Sequence, residues 1–150
     1  MNIFIRKFEE SDRTELLKMM EEFYSSEAVS TNGSEEIFNK DFDACVGDNP
    51  FLEGFMLLVA DKIAGYAILA KSFSTEFGKN CIWLEDLYLK PNYRGMGIIS
   101  NFIKFVEKNY PQTLLKLEVE EDNFHAVHVY KKSGFQALPY VVMKKELWFF

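Results

Sequence analysis

An arginine and two glycines stand within the run Arg94, Gly95, Met96 and Gly97, directly ahead of a helical repeat. The first N–H groups of a helix have no intrahelical partner, and the helix dipole leaves partial positive charge there. Glycines let an anion approach that backbone, and Arg94 adds a cation. Holding a pyrophosphate is the chemistry this spacing suits. An ordinary glycine turn beside a solvated arginine uses the same residues, and a lone G-x-G does not choose between the two. A Walker A loop is excluded, because no G-x-x-x-x-G-K-[ST] run exists. Gly95, Gly97 and Ser100 imitate a dinucleotide fingerprint, with Glu118 about 20 residues on, where that motif places its acid. However, the run KPNYR separates the preceding strand from Gly95, the third glycine is missing, and only residues 101–150 follow Ser100.

A second chemical feature precedes the loop. In CIWLEDLYL, Cys81 to Leu89, aliphatics fall at Ile82 and Leu84, then at Leu87 and Leu89. Their parity flips across Glu85-Asp86. A strand has period 2, so one apolar face through both pairs requires an extra residue there, a β-bulge. A carboxylate beside a bulge between apolar runs is partly desolvated and suited to act as a base. A charge at an exposed strand edge is the plain alternative for Glu85. Asp86 is expected to point to the opposite face. His125 and His128 stand three apart without a third ligand, so surface or packing roles are expected and no metal. EEFYSSE holds Glu21, Glu22, Phe23, Tyr24 and Glu27, a set of acids that is either a solvated face or a lure for an amine.

These groups need a frame. NIFIRKF reads as a strand, and SDRTELLKMMEEFYSS as a helix capped by Ser11 or Asp12, with Leu16, Leu17, Met20, Phe23 and Tyr24 on one face. SSEAVSTNGS reads as a loop. Ser34 caps a second helix with Ile37, Phe38, Phe42, Cys45 and Val46 inward, ending at Gly47. FMLLVA and IAGYAILAKSF form a hairpin about Asp61-Lys62. Ile98, Ile99, Phe102, Ile103 and Val106 give a helical face stopped by Asn109 and Pro111. LLKLEV is a strand, DNFHAVHVYKKSG a short helix, and FQAL and YVVMKKELWFF closing strands. The order is β-α-α-β-β-β-α-β-α-β-β, a mixed α/β arrangement.

The 150 residues are expected to form one domain, 1–150. A hydrophobic fraction of 48% excludes a disordered chain. No apolar run approaches the roughly 20 residues of a membrane span. The opening MNIFIRKFEESD lacks the pattern of a secretory signal, and Cys45 and Cys81 match no disulfide framework or metal motif, so a cytoplasmic setting is expected. A net charge of −6 argues against nucleic acid and favours cationic partners.

The loop and the short helix together resemble the GNAT (GCN5-related N-acetyltransferase) family. The family's [RQ]-x-x-G-x-[GA] falls on Arg94, Gly95, Met96, Gly97, Ile98 and Ile99, and its N-x-x-A-x-x-x-Y-x-x-x-G-[FY] falls on Asn123, Ala126, Tyr130, Gly134 and Phe135. WLEDLY is most similar to the polyamine-acetyltransferase-like branch. Ile99 departs from the usual Gly or Ala. The resemblance implies a mostly antiparallel mixed sheet of six to seven strands flanked by about four helices, with a bulge in the central strand before the pyrophosphate loop. It also implies acetyl transfer from acetyl-CoA to a primary amine of a small, polyamine-like or otherwise cationic molecule, without metal, in a cytoplasmic homodimer. A catalytically weak acyl-CoA-binding module is the alternative.

By the same resemblance, backbone groups of Leu87, Tyr88 and Leu89 take the pantetheine arm. Arg94 and the amides of Gly95, Met96, Gly97, Ile98, Ile99 and Ser100 take the pyrophosphate, and Asn123 bonds a pantetheine amide. Tyr130 donates a proton to the leaving thiolate, and Glu85 takes one from the amine. Glu22, Tyr24, Glu27 and Glu85 are candidates for the acceptor site.

Overall fold

A computed structural model describes residues 1–26 and 33–147. Glu27 and part of the loop expected after the first helix lie outside these residues. The first strand, β1 (Ile3–Lys7), leads through a 3-10 turn (Glu10–Asp12) into helix α1 (Arg13–Tyr24). Asp12 sits at the helix start, yet its side chain does not cap α1. Its buried carboxylate instead accepts from the Arg6 guanidinium at 2.8 and 3.0 Å and from the Glu9 N–H at 2.8 Å. Burying that charge is tolerable because it is paired and hydrogen-bonded.

Helix α2 (Glu35–Val46) is capped as its sequence suggests. The Ser34 hydroxyl oxygen accepts from the Ile37 N–H at 3.2 Å, and Gly47 ends the helix. Phe38 and Phe42 are buried, but Ile37 and Val46 are exposed, so the buried stripe is narrower than expected.

The remaining strands are β2 (Leu52–Val59), β3 (Lys62–Ser74) and β4 (Lys79–Leu89), followed by a 3-10 turn (Pro91–Tyr93) and helix α3 (Ile98–Asn109). A short strand β5 (Leu114–Lys116) and helix α4 (Phe124–Lys132) complete the elements. The sheet order is β1-β2-β3-β4-β5, antiparallel except for the parallel β4–β5 pair. The β2–β3 turn lies one residue earlier than expected. Ala60 and Asp61 form it with φ of 49° and 66°, and Val59 pairs with Lys62. A right-twisted hairpin demands positive φ at both turn positions, and the fold imposes it here without glycine.

Both sheet faces are covered. Met56, Leu58, Tyr66, Ile68 and Tyr88 pack with Leu16, Met19, Met20, Phe38 and Phe42 of α1 and α2. Phe55, Leu57, Leu69, Ile82, Leu84 and Leu89 pack with Ile98, Phe102, Ile103 and Val106 of α3, with Tyr130 and Phe135 against their edge. This two-sided burial explains why FMLLV reads as a continuous apolar run rather than an alternating one.

The expected sheet of six to seven strands has five. LLKLEV is a strand only over its first three residues, and none lies within residues 135–147, where FQAL and most of YVVMKKELWFF fall. Leu138, Tyr140, Val141, Val142, Met143 and Leu147 are exposed there. Strand propensity expresses fit to a neighbouring strand, and no strand runs beside this segment. Phe135 packs at the edge of the core, and the Tyr140 hydroxyl donates to Glu76 of the β3–β4 turn at 3.0 Å. Among the described residues, no helix is long and apolar enough to cross a membrane.

Gly65 shows how tightly β3 and β4 meet. A Cβ there would lie 2.0 Å from the Tyr88 carbonyl oxygen. Gly65→Ala is therefore expected to cost about 1–3 kcal/mol through overpacking. The urea midpoint should fall while the slope of the transition stays unchanged. A variant as stable as the wild type would show that β4 gives way without penalty.

Candidate active site

The paired register locates the bulge. Ile68 pairs with Asp86 and Leu69 with Leu84, which leaves Glu85 without a partner on β3. Ile82 and Leu84 before it, and Leu87 and Leu89 after it, then share the α3 face, as the parity flip demands. Asp86 and Tyr88 fall on the α1–α2 side. The parallel β4–β5 pairing covers only Cys81 to Trp83, so beyond the bulge β4 has no outer strand partner among the described residues.

Two cavities adjoin the Glu85–Leu89 stretch. The first, about 240 Å³, is lined by Leu87, Leu89, Arg94, Gly95, Gly97, Ile99, Ser100, His125, Ala126, Val129 and Tyr130. Gly95 and Gly97 hold φ of 78° and 77°, the left-handed region, and a Cβ on either would meet nothing within 4 Å. Backbone conformation therefore requires these glycines, and the space before them is open. The amides at the start of α3 face a concavity suited to an anion. Arg94 is held in place, because its Nε donates to the Leu89 carbonyl at 2.9 Å.

The expected cofactor residues divide by position. Leu87, Leu89, Arg94, Gly95, Gly97, Ile99, Ser100 and Tyr130 line this cleft. Ile98 is buried under α3, and Met96 is exposed outside the cleft lining. The Tyr88 side chain packs on the opposite face and donates its hydroxyl proton to Glu22. Asn123 caps α4, accepting from the Ala126 N–H at 3.3 Å. Ile99 both lines the cleft and packs on the core, so the residue at the departure from the family pattern has a structural use. Among the described residues, the Tyr130 hydroxyl has no hydrogen-bond partner, and burial raises its pKa, which keeps the proton on oxygen.

The second cavity, about 290 Å³, is lined by Tyr24, Asp41, Leu52, Ile68, Ala70, Glu85 and Asp86. Asp86 does not point away from Glu85 as expected. Both line this cavity, because the bulged residue breaks the alternation that would have separated them. Asp86 accepts from the Tyr24 hydroxyl at 2.9 Å and from the Tyr66 hydroxyl at 3.0 Å. Burial still pushes its pKa up to about 6, the two phenols pulling the other way and Asp41 adding to the rise. Burial, then Asp86 and Glu118, raise Glu85, whose outer side remains open to solvent. Burial, then Glu85, raise Asp41. Among the described residues, no lysine or arginine pairs with any of the three. This arrangement accepts a cation and, at Glu85, a proton.

Sequence reasoning missed Asp41 and the cleft position of His125. Asp41 had a signal: with Phe38, Phe42 and Cys45 it forms one helical stripe, a carboxylate among apolar neighbours. Glu27 lies outside the described residues.

Residues 14–135 match the family described as Acetyltransferase (GNAT) family. Thialysine N-epsilon-acetyltransferase of Sus scrofa is 35% identical over 155 residues, covering 91% of this chain and 86% of that protein. The protein of the same name from Mus musculus is 35% identical over 150 residues, covering 89% and 84%. Among solved structures, a predicted acetyltransferase with acetyl-CoA from Clostridium acetobutylicum superposes with a TM-score of 0.76 at 19% identity, covering 96% of each chain. AAC(6')-Iy, solved in complex with the bisubstrate analog CoA-S-monomethyl-acetylneamine, gives 0.77 at 14% identity, covering 98% of this chain and 99% of that one. At those identities the likeness is one of fold.

Asp86 makes stability depend on pH in a particular direction. Its folded pKa of about 6 lies above the ordinary value, so the folded state keeps a proton that the unfolded chain releases. The contribution is fully present below about pH 4 and is lost as pH rises through about 6. Asp86→Asn cannot lose it. Urea melts should show the wild type losing about 2–3 kcal/mol relative to Asp86→Asn between pH 4 and 7. A difference between the two proteins that is flat with pH would mean that Asp86 keeps its ordinary pKa in the folded chain.

Proposed function

This chain belongs to the GNAT family of acetyltransferases and is an acetyl-CoA-dependent N-acetyltransferase, and from that premise we propose that its acceptor is a primary amine on a small cationic molecule, thialysine-like or polyamine-like, which attacks the acetyl group directly. The observation that carries this reading is the placing of two complementary cavities on one short stretch of β4. One offers an arginine and glycine-bordered amides to an anion. The other offers three carboxylates without protein cations. The names of the two 35%-identical relatives agree with an acceptor that ends in an amine.

Acetyl-CoA supplies the thioester whose acetyl group is moved. The open space before Gly95 and Gly97 fits its pyrophosphate, with Arg94 and the amides of the Gly95–Ser100 run as the holding groups. The unpartnered outer edge of β4 at Leu87 and Tyr88 is suited to the pantetheine amides. The Leu89 carbonyl already accepts from Arg94. Asn123 accepts at the α4 cap through Oδ1, leaving its Nδ2 to donate to a carbonyl.

A lysine-like ammonium, with an ordinary pKa near 10.4, must lose a proton before it attacks. Glu85 accepts that proton, directly or through water, and its raised pKa makes it a stronger base than an ordinary carboxylate. Tyr130 returns a proton to the departing sulfur. Asp41 and Asp86 hold the acceptor's positive charge. Tyr24 supports Asp86, and Glu22 acts at a distance, since it is bound to Tyr88.

Acetyl-CoA at 100 times its Kd should stabilise the folded chain by about 2.7 kcal/mol. Gly97→Glu should abolish the shift, because it places bulk and negative charge at a left-handed position facing the anion. Thiol release over an amine panel should favour acceptors with a second positive charge over neutral amines of equal length. No thermal shift at millimolar acetyl-CoA, or turnover indifferent to that second charge, would overturn the respective halves of the proposal.

The proton donor and acceptor separate by mutation. Tyr130→Phe keeps the packing against Phe135 and should lower kcat by about 10²–10⁴-fold with acetyl-CoA affinity nearly unchanged. Glu85→Gln should reduce kcat/KM most at low pH and recover towards pH 9–10, where free amine accumulates near its own pKa. Wild-type turnover by Tyr130→Phe removes Tyr130 from the chemistry. A Glu85→Gln deficit constant with pH removes proton abstraction from Glu85.

A further inference from the structure

His125 occupies the second position of α4 and lines the cleft that also contains Arg94, Gly95, Gly97 and Ser100. It is exposed, and among the described residues its imidazole has no hydrogen-bond or ion-pair partner. His128, one turn on, does not line the cleft.

We infer that His125 is a contact for the phosphates of acetyl-CoA. The inference rests on the cofactor reading above. Arg94 is the single permanent cation lining the cleft, and its Nε is already bound to the Leu89 carbonyl. The ligand carries a pyrophosphate and a 3′-phosphate, and the chain has a net charge of −6. A second donor is the missing complement. The first turn of α4 is favourable ground for an anion through its dipole, although the Ala126 N–H is already taken by Asn123. Arg94 from the loop and Tyr130 from α4 are the titratable groups lining this cleft; β4 gives Leu87 and Leu89, and α3 gives Ile99 and Ser100.

The test is Kd by calorimetry for CoA, 3′-dephospho-CoA and acetyl-pantetheine at pH 7, with wild type, His125→Ala and His128→Ala. The Kd for CoA should rise about 5-fold in His125→Ala, the size of one hydrogen-bonded contact to a phosphate. His128→Ala should track the wild type, and acetyl-pantetheine should bind the three proteins alike. Retention of the effect with 3′-dephospho-CoA places His125 on the pyrophosphate, and its loss places it on the 3′-phosphate; either supports the inference. A CoA Kd unchanged in His125→Ala, or an equal rise in His128→Ala, overturns it. Failure of the wild type to bind CoA at pH 7 would instead overturn the cofactor reading beneath it.

Discussion

One unpaired residue in β4 organises the rest. Without the bulge at Glu85, the period of a strand would place Leu87 and Leu89 on the α1–α2 side and carry Asp86 towards α3. The apolar set of β4 would then be split between two cores, and a carboxylate would enter a fully apolar layer. The extra residue keeps Ile82, Leu84, Leu87 and Leu89 under one helix and brings Glu85 and Asp86 together on the other side. It follows the last paired residue of the β4–β5 ladder at Trp83 by two positions. β4 thereby loses its outer partner and changes its facing within the same short span, and both cavities open there.

Each cavity is held by contacts that reach back to β4. Arg94 is tied by its Nε to the carbonyl of Leu89, the last residue of the strand, and its guanidinium lies 5.6 Å from the centroid of the Tyr88 ring. Tyr88 in turn donates to Glu22 of α1. On the acidic side, Tyr24 of α1 and Tyr66 of β3 each give Asp86 a hydrogen bond. The two phenols offset part of the cost of burying that carboxylate. These same bonds fix the end of α1 over the bulge, so the packing of a helix and the charge of the cavity are one arrangement.

The parity flip in CIWLEDLYL and the glycine pair after it made the central strand and the cofactor loop legible, because each rests on a rule with a fixed period or a fixed backbone angle. The facing of Asp86 departs from its sequence pattern for the opposite reason: strand alternation does not carry through the residue that breaks it. The β2–β3 turn slipped by one because Ala60 and Asp61 adopt angles that sequence preference assigns to glycine or asparagine. Asp41 was passed over because an acid on a helix reads as solvated unless its whole stripe is considered. YVVMKKELWFF has strand composition, yet composition cannot supply a neighbour, and across residues 140–147 no strand forms.

The acidic cavity also has an energetic logic beyond attraction. Burial is the largest cause that raises Asp41, Glu85 and Asp86, and repulsion among them adds to it, so gathering them charged in one half-dry space costs folding energy. An ammonium entering among them relieves that repulsion and restores their ordinary preference for the charged form. Under the proposed function, part of the acceptor's binding energy is thus repulsion already stored in the folded chain. A neutral amine gains none of it. Discrimination by charge then arises from the same three side chains that limit stability, and it requires no contact with the rest of the acceptor.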